Sequence, residues 1–377
     1  QTCALPIWLY ERLIYLRNLE EKKEHVLSSI EEQGKLTAEL KAQILAAETL
    51  VVVEDLYRPY RPKRRTRATI AKEKGLEPLA NLIILQQTEE PLEKEAEKYL
   101  SEEKGIVSVE DAMAGAQDII AEAFSDEADY RSWIRNMTAL KGKLTSRAKD
   151  PEAESVYEMY YEFEEPVAKL AGHRILALNR GEKEKVLTVK IEAPEEDIIR
   201  YLEKKTILQE DPYTTPVLKA VVEDSYKRLI APAIEREIRN ELTEKAENGA
   251  IEVFGKNLHQ LLMQPPIAGQ VVLGWDPAFR TGCKLAVVDA TGKVLGTTVI
   301  HPTAPTTPQK IKASKDLLKK IISKYHITLI SLGNGTASRE SEQIIVELLK
   351  EISEKVQYVI VNEAGASVYS ASKLATE

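Results

Sequence analysis

Residues 271–289 read VVLGWDPAFRTGCKLAVVD, and no other stretch narrows the possible folds as much. An apolar run stops at Asp276, a proline and an Arg-Thr-Gly turn follow, and a second apolar run returns to Asp289. Short apolar runs bounded by turn residues are strands rather than helices. A carboxylate at the end of a buried strand has to meet a cation or accept hydrogen bonds from the turn beyond it, because an uncompensated charge there is costly. Asp276 is therefore either a ligand for something or a structural acid.

The same pattern continues to the end of the chain. Strands are predicted over 271–275, 284–289 and 293–301, with Ala290-Thr291-Gly292 as a tight turn between the second and third. A helix over 308–325 follows, then a strand over 327–332, a helix over 338–354, a strand over 356–362 and a further helix after Gly365. Three antiparallel strands, then helix, strand, helix, strand, is the element order of the ribonuclease-H-like fold. In such a sheet the first, fourth and fifth strands run parallel and their carboxyl ends meet at one edge. Asp276, the Gly333-Asn334-Gly335-Thr336 turn and Asn362-Glu363 are then expected around one cleft.

Upstream, the periodicity is helical. Leu9, Leu13 and Leu16, then Val26, Leu27 and Ile30, recur at three- and four-residue steps. Gly34 is a stop, and Thr37 an N-cap for a second helix through Leu40, Ile44 and Leu45. Residues 110–262 are expected to be mostly helical with one β interruption at 185–191, and 172–181 as a short strand or helix end followed by a turn. Gln264-Pro265-Pro266 marks a boundary. The expected class is mixed: a mainly α-helical N-terminal region, divided into 8–125 and 126–266, then an α/β ribonuclease-H-like domain over 267–377, incomplete at its C-terminus. Residues 1–7, QTCALPI, resemble the translated end of a common sequencing adapter and are set aside.

The formal net charge of −8 excludes a protein coated in nucleic acid, so any phosphate binding has to be local. One segment is locally basic. Between Tyr57 and Lys74 stand Arg58, Arg61, Lys63, Arg64, Arg65, Arg67, Lys72 and Lys74 against the single acid Glu73. Pro59 and Pro62 deny it a continuous helix, so an extended loop is expected, displaying guanidinium groups with Tyr57 and Tyr60 between them. Such groups suit phosphates and unstacked bases. The alternative is that the arginines pair with acidic helices such as 89–103 and tie subdomains together.

No apolar run approaches the ~20 residues that cross a bilayer, so no membrane partner is expected. Two cysteines, Cys3 and Cys283, exclude a disulfide framework and a cysteine zinc site, and point to a reducing, cytoplasmic compartment. His173 has no second histidine or cysteine near it in sequence and is taken as structural.

Two-metal phosphodiester hydrolysis needs several carboxylates on converging strand ends. Asp276 and Glu363 are the right type, but Asn334 stands where related resolvases place an acid on the fourth strand. Glu340 suits the first turn of the helix after it. A structural Asp276 would accept N–H groups of the Ala278 to Thr281 turn and pair with Arg280. GNGTASRE is either a nest of N–H groups for a phosphate or a loop capped by Ser338 and Ser341. The expectation is a binding or vestigial cleft that requires no cofactor, with Arg280, Thr281, Asn334, Gly335, Thr336 and Arg339 as phosphate contacts. If it cuts, Mg²⁺ would sit at Asp276 and Glu363.

The strings LYRPYRPKRRTRATIA, GWDPAFRTGCKLAVVDATGKVLG, GNGTASRE and VNEAGASVYSAS resemble the Tex family of bacterial transcription accessory proteins, and the resemblance runs over 8–377. It implies a helical N-terminal region and a YqgF-type ribonuclease-H-like domain, with helix-hairpin-helix modules and an RNA-binding barrel beyond residue 377. It also implies a role in transcription with RNA or DNA as partner. Two other functions remain open: an Mg²⁺-dependent nuclease or resolvase, and a scaffold that contacts RNA polymerase or other transcription or translation machinery through its helices.

Overall fold

The computed structural model describes residues 4–62, 65–263 and 267–376. The chain separates into two compact units, Gln1–Ala250 and Ile251–Glu377.

In the first unit, α1 (Ala4–Glu32), α2 (Ala38–Ala46) and α3 (Leu50–Tyr57) close around Leu19, Val26, Ile30, Ile44, Val53 and Tyr57. The chain turns at Gly34, whose φ of +66° favours glycine, and the Leu40 N–H donates to Thr37 Oγ1 at 3.1 Å. Both features stand where the sequence placed them. Next come α4 (Arg67–Glu73), α5 (Glu77–Leu85), α6 (Leu92–Glu97) and α7 (Val109–Asp126), with Leu79, Ile83, Ala112, Ala116 and Ile120 in a shared core. The small residues of α7 allow the close approach: a side-chain carbon at Gly115 would overlap Leu76.

The basic segment is not one extended loop. Helix α3 reaches Tyr57 and α4 starts at Arg67, where Thr66 and Thr69 cap reciprocally. The two prolines confine the non-helical part to the residues between these helices. Lys63 and Arg64 lie outside the described residues.

The rest of the unit holds α8 (Ala128–Lys141), β1 (Lys143–Ala148), β2 (Glu162–Pro166), α9 (Gly172–Lys183), β3 (Leu187–Glu192), α10 (Glu195–Thr206), α11 (Thr214–Asp224), a π-helical stretch Ser225–Ile230, and the part of α12 (Ala231–Leu262) up to Ala250. Here the sequence reading needs two corrections. The β interruption is a three-stranded antiparallel sheet in the order β2-β1-β3, and 172–181 is helix.

Helices α3, α8 and α12 are joined by a charged lattice. Arg131, fully buried, donates to Asp55 Oδ1 at 2.8 Å and to Glu237 Oε1 at 2.6 Å. Arg135 reaches the other oxygen of each acid, Asp55 Oδ2 at 2.7 Å and Glu237 Oε2 at 2.8 Å. Two guanidinium groups and two carboxylates balance, which is what makes burial of the ions tolerable.

In the second unit, β4 (Val272–Asp276), β5 (Cys283–Val288), β6 (Val294–Ile300), α13 (Pro308–Tyr325), β7 (Leu329–Gly333), α14 (Ser338–Glu351), β8 (Gln357–Val361) and α15 (Ala364–Ser370) follow the predicted order. The sheet runs β6-β5-β4-β7-β8, antiparallel across β6, β5 and β4 and parallel across β4, β7 and β8. This is the ribonuclease-H-like arrangement. Leu273, Trp275, Leu285, Val287, Ile330 and Leu332 share a core with Leu318 and Ile322 of α13 and Ile345 and Leu348 of α14. Alternate residues of a strand point to opposite faces, so Gly274, Asp276, Lys284 and Ala286 face the other way. Among the described residues no helix is long and apolar enough to cross a membrane.

Candidate functional site

The parallel pairing aligns Trp275 with Leu332 and Gly333 with Val361, so the strand ends of β4, β7 and β8 come to one edge. There a cleft of about 980 Å³ opens, lined by Asp276, Lys284, Gly333 and Glu363 together with Ala366 and Ser370 of α15. Asp276 and Glu363 therefore face one opening.

Asp276 is exposed and pairs with Lys284, its opposite residue on β5, at 3.5 Å. The expected partner was Arg280. Lys284 wins because cross-strand register puts its side chain on the same face two residues past the turn, whereas Arg280 sits out in the turn itself. Among the described residues, no hydrogen bond runs from the Ala278 to Thr281 turn to the Asp276 carboxylate; the turn is tied down by Thr303, whose hydroxyl donates to Ala278 O at 2.7 Å.

Glu363 is held more closely. Its N–H donates to Asn334 Oδ1 at 3.2 Å, and the Asn334 N–H donates to Val361 O at 3.0 Å. Its carboxylate lies against Gly333 and Gly335, where a side-chain carbon at either position would overlap the carboxylate oxygens. The two glycines serve space here, not backbone angle. Burial first, and the nearby Asp276 charge second, push the Glu363 carboxyl above its ordinary 4.5.

This donor set does not fit a two-metal centre. One of the two carboxylates already faces an ammonium, the fourth-strand position is an amide whose oxygen is engaged, and among the described residues no three acid, histidine or cysteine side chains group as metal ligands. Glu340 lies exposed in the first turn of α14, and His173 lies exposed in the first turn of α9.

Arg280, Thr281, Thr336 and Arg339 are exposed and lie outside the cleft lining, and neither arginine has an ion-pair partner among the described residues. Asn334 is exposed, and Gly335 half-buried beneath Glu363. The expected capping at the start of α14 is not made. Ala337, at φ +65°, precedes the helix and no side chain caps it. Ser338 donates only its backbone N–H, to Gly335 O at 3.2 Å, while Ser341 is buried with its hydroxyl 3.7 Å from Cys283 Sγ.

In the first unit, Arg58 pairs with Asp126 at 3.2 Å, Arg61 with Glu54 at 3.8 Å and Arg65 with Glu73 at 2.9 Å. These partners are close in the fold; none lies in 89–103. Arg61 and Arg65 keep 65% and 71% of their side chains exposed, and Arg67 is exposed as well. Tyr57 is no stacking surface. It is 5% exposed, with its hydroxyl 2.8 Å from Ser29 Oγ, and Tyr60 packs partly against the same core. The signal was in the sequence: Tyr57 is four residues after Val53, on the apolar stripe of α3. Lys284 was missed as a site residue, although pairing the two runs across the 277–282 turn puts it opposite Asp276.

The sequence matches the family model described as Tex protein YqgF-like domain over residues 270–377 and the one described as Tex central region-like over 86–254. It is 54% identical over 370 residues to the uncharacterized protein YdcI of Bacillus subtilis, covering 97% of this chain and 51% of that one. It is 38% identical over 383 residues to the transcriptional accessory protein Tex of Neisseria gonorrhoeae, covering 97% and 48%. With the human S1 RNA-binding domain-containing protein 1 it shares 30% identity over 376 residues, 95% of this chain and 37% of that protein. The chain thus spans about half the length of the bacterial relatives it matches.

Proposed function

Because this chain belongs to the Tex family, we propose that it serves transcription as a nucleic-acid-binding accessory factor whose ribonuclease-H-like domain binds its ligand beside the cleft without cutting it. The observation that carries this reading is the cleft's acid count. Asp276 and Glu363 stand without a third carboxylate among the described residues, and Lys284 already neutralises one of them. Hydrolysis through metal ions needs both the attacking and leaving oxygens clamped. No cofactor is required by this reading.

Binding is assigned to the basic segment, where Arg61, Arg65 and Arg67 are exposed and Lys63 and Arg64 lie between them in sequence. Arg280, Thr336 and Arg339, with Thr281, Asn334 and Gly335, form the second proposed set of phosphate contacts. RNA or DNA is the proposed ligand; the relative named for an RNA-binding domain, of which this chain matches 37%, supports RNA for the longer protein. RNA polymerase, or another component of the transcription machinery, is the proposed protein partner, in the cytoplasm.

An assay with end-labelled RNA and DNA in Mg²⁺ tests the cleft. The expected result is retention without cleavage, unchanged in Asp276→Asn. Mg²⁺-dependent cutting by the wild-type chain that Asp276→Asn abolishes would replace this reading with the nuclease.

A further inference from the structure

Strand β6 is an edge of the five-stranded sheet, and among the described residues no strand pairs with its outer side. Its sequence, VLGTTVI, carries none of the usual guards of an exposed edge, neither a charge nor a proline. A register shift at Val287/Val288 lies at the hairpin end and leaves 296–300 regular. Val294, Leu295 and Val299 are exposed along it.

Beside this edge is a second cavity, of about 240 Å³, unrelated to the carboxylate cleft in chemistry. Its floor is Leu273, Leu285 and Val287, and its helix wall is Leu317, Ile321 and Tyr325 of α13. It opens where β6 contributes Gly296, Thr297 and Thr298 and no large side chain; a side-chain carbon at Gly296 would come within 3.2 Å of the Tyr325 hydroxyl. The rim holds Lys320 and Lys324, one turn apart on α13. Neighbouring Lys315 and Lys319 are paired with Glu347 and Glu351, but Lys320 and Lys324 have no ion-pair partner among the described residues, and no acid lines the cavity.

We propose that this edge docks an extended acidic peptide of a partner protein, which adds a strand outside β6, seats one apolar side chain in the cavity and sets its carboxylates at Lys320 and Lys324. Each element of the site selects for part of that occupant. An unpaired strand edge recognises backbone, and adjacent pockets then read alternate side chains. The volume is below the ~300–1,000 Å³ of small-molecule sites and suits a single side chain. Two ammonium groups without an acidic partner, Lys320 and Lys324, the latter resting over the Tyr325 ring at 4.8 Å, stand over an apolar floor and favour an apolar residue flanked by acids. A nucleic acid would find no polar group on that floor.

The test is selection of a phage-displayed random-peptide library on the whole chain, followed by amide hydrogen exchange with the selected peptides and by binding to the Lys320→Glu, Lys324→Glu double variant. Both lysines are exposed, so the variant should fold as the parent does. The expected peptides carry Asp or Glu around one large apolar residue, slow exchange at 295–299, and bind the double variant roughly tenfold more weakly or worse. The proposal is overturned by an absence of enriched peptides, by a basic or neutral consensus, by unchanged exchange along β6, or by indifference to the charge reversal. Sedimentation showing that β6 instead joins two copies of the chain, or competition by a single-stranded RNA for the same lysines without any peptide binding, would overturn it equally.

Discussion

The Glu363 carboxylate fills the space that a side chain at Gly335 would occupy. A residue just past β8 and one just past β7 are thereby fitted to each other at the ends of neighbouring strands. Gly335→Ala is expected to destabilise the second unit by no more than about 1 kcal/mol, because Glu363 has to leave its seat but the atoms displaced are the mobile end of its side chain. Adding Glu363→Ala should restore much of the loss. Urea denaturation of the single and double variants checks both, and equal loss in the two would refute the fit.

The same carboxylate sets a pH dependence. Burial and Asp276 raise the Glu363 pKa above 4.5, so the folded chain holds that proton more tightly than the unfolded chain does. Its contribution favours folding below the unfolded value and is lost as pH rises through the folded one. Glu363→Gln should therefore be more stable than the parent at neutral pH and flatten the stability profile just above pH 4.5. In Asp276→Asn the Glu363 pKa should fall part of the way, since burial, the larger cause, remains. A carbon-13 carboxyl titration by NMR reads the shift directly.

The sheet of the second unit was legible because its strands are apolar runs punctuated by Asp-Pro, Thr-Gly and Gly-Asn-Gly. Strands β1 and β2 were not, because KLTSRA and EFEEP carry too few apolar residues to alternate visibly. Polar Thr145 and Ser146 are buried on opposite faces of β1, so the pairing of these strands follows from tertiary packing. Helix α9 was obscured by its glycines, one of which, Gly181, is required where Leu187 presses against it. At the cleft, residue types identified Asp276 and Glu363, but the seat made by Gly333 and Gly335 joins strands distant in sequence. Local spacing carries no trace of it.

For the basic segment, Arg65→Glu with Arg67→Glu should weaken binding of single-stranded RNA and reduce the slope of log affinity against log salt by about 0.7 for each phosphate that is no longer neutralised. Fluorescence anisotropy over a salt series measures it. An unchanged slope would make these arginines surface ion-pair residues only, as the Arg65–Glu73 pair alone would suggest.

Arg131→Met should cost the first unit about 3–5 kcal/mol, because it leaves two carboxylates with one guanidinium in a buried setting. Thermal denaturation reads the loss. A near-neutral result would mean that water reaches Asp55 and compensates it.

That lattice also decides how α3, α8 and α12 can give way. Arg131 and Arg135 stand one helical turn apart and clasp the same pair of acids, so a slip of α8 by one turn would leave one guanidinium without either acid and the pair of acids with a single cation. Intermediate offsets satisfy neither. The joint consequently has a single notch: under load it holds its register until it breaks outright, and this part of the molecule is brittle rather than compliant.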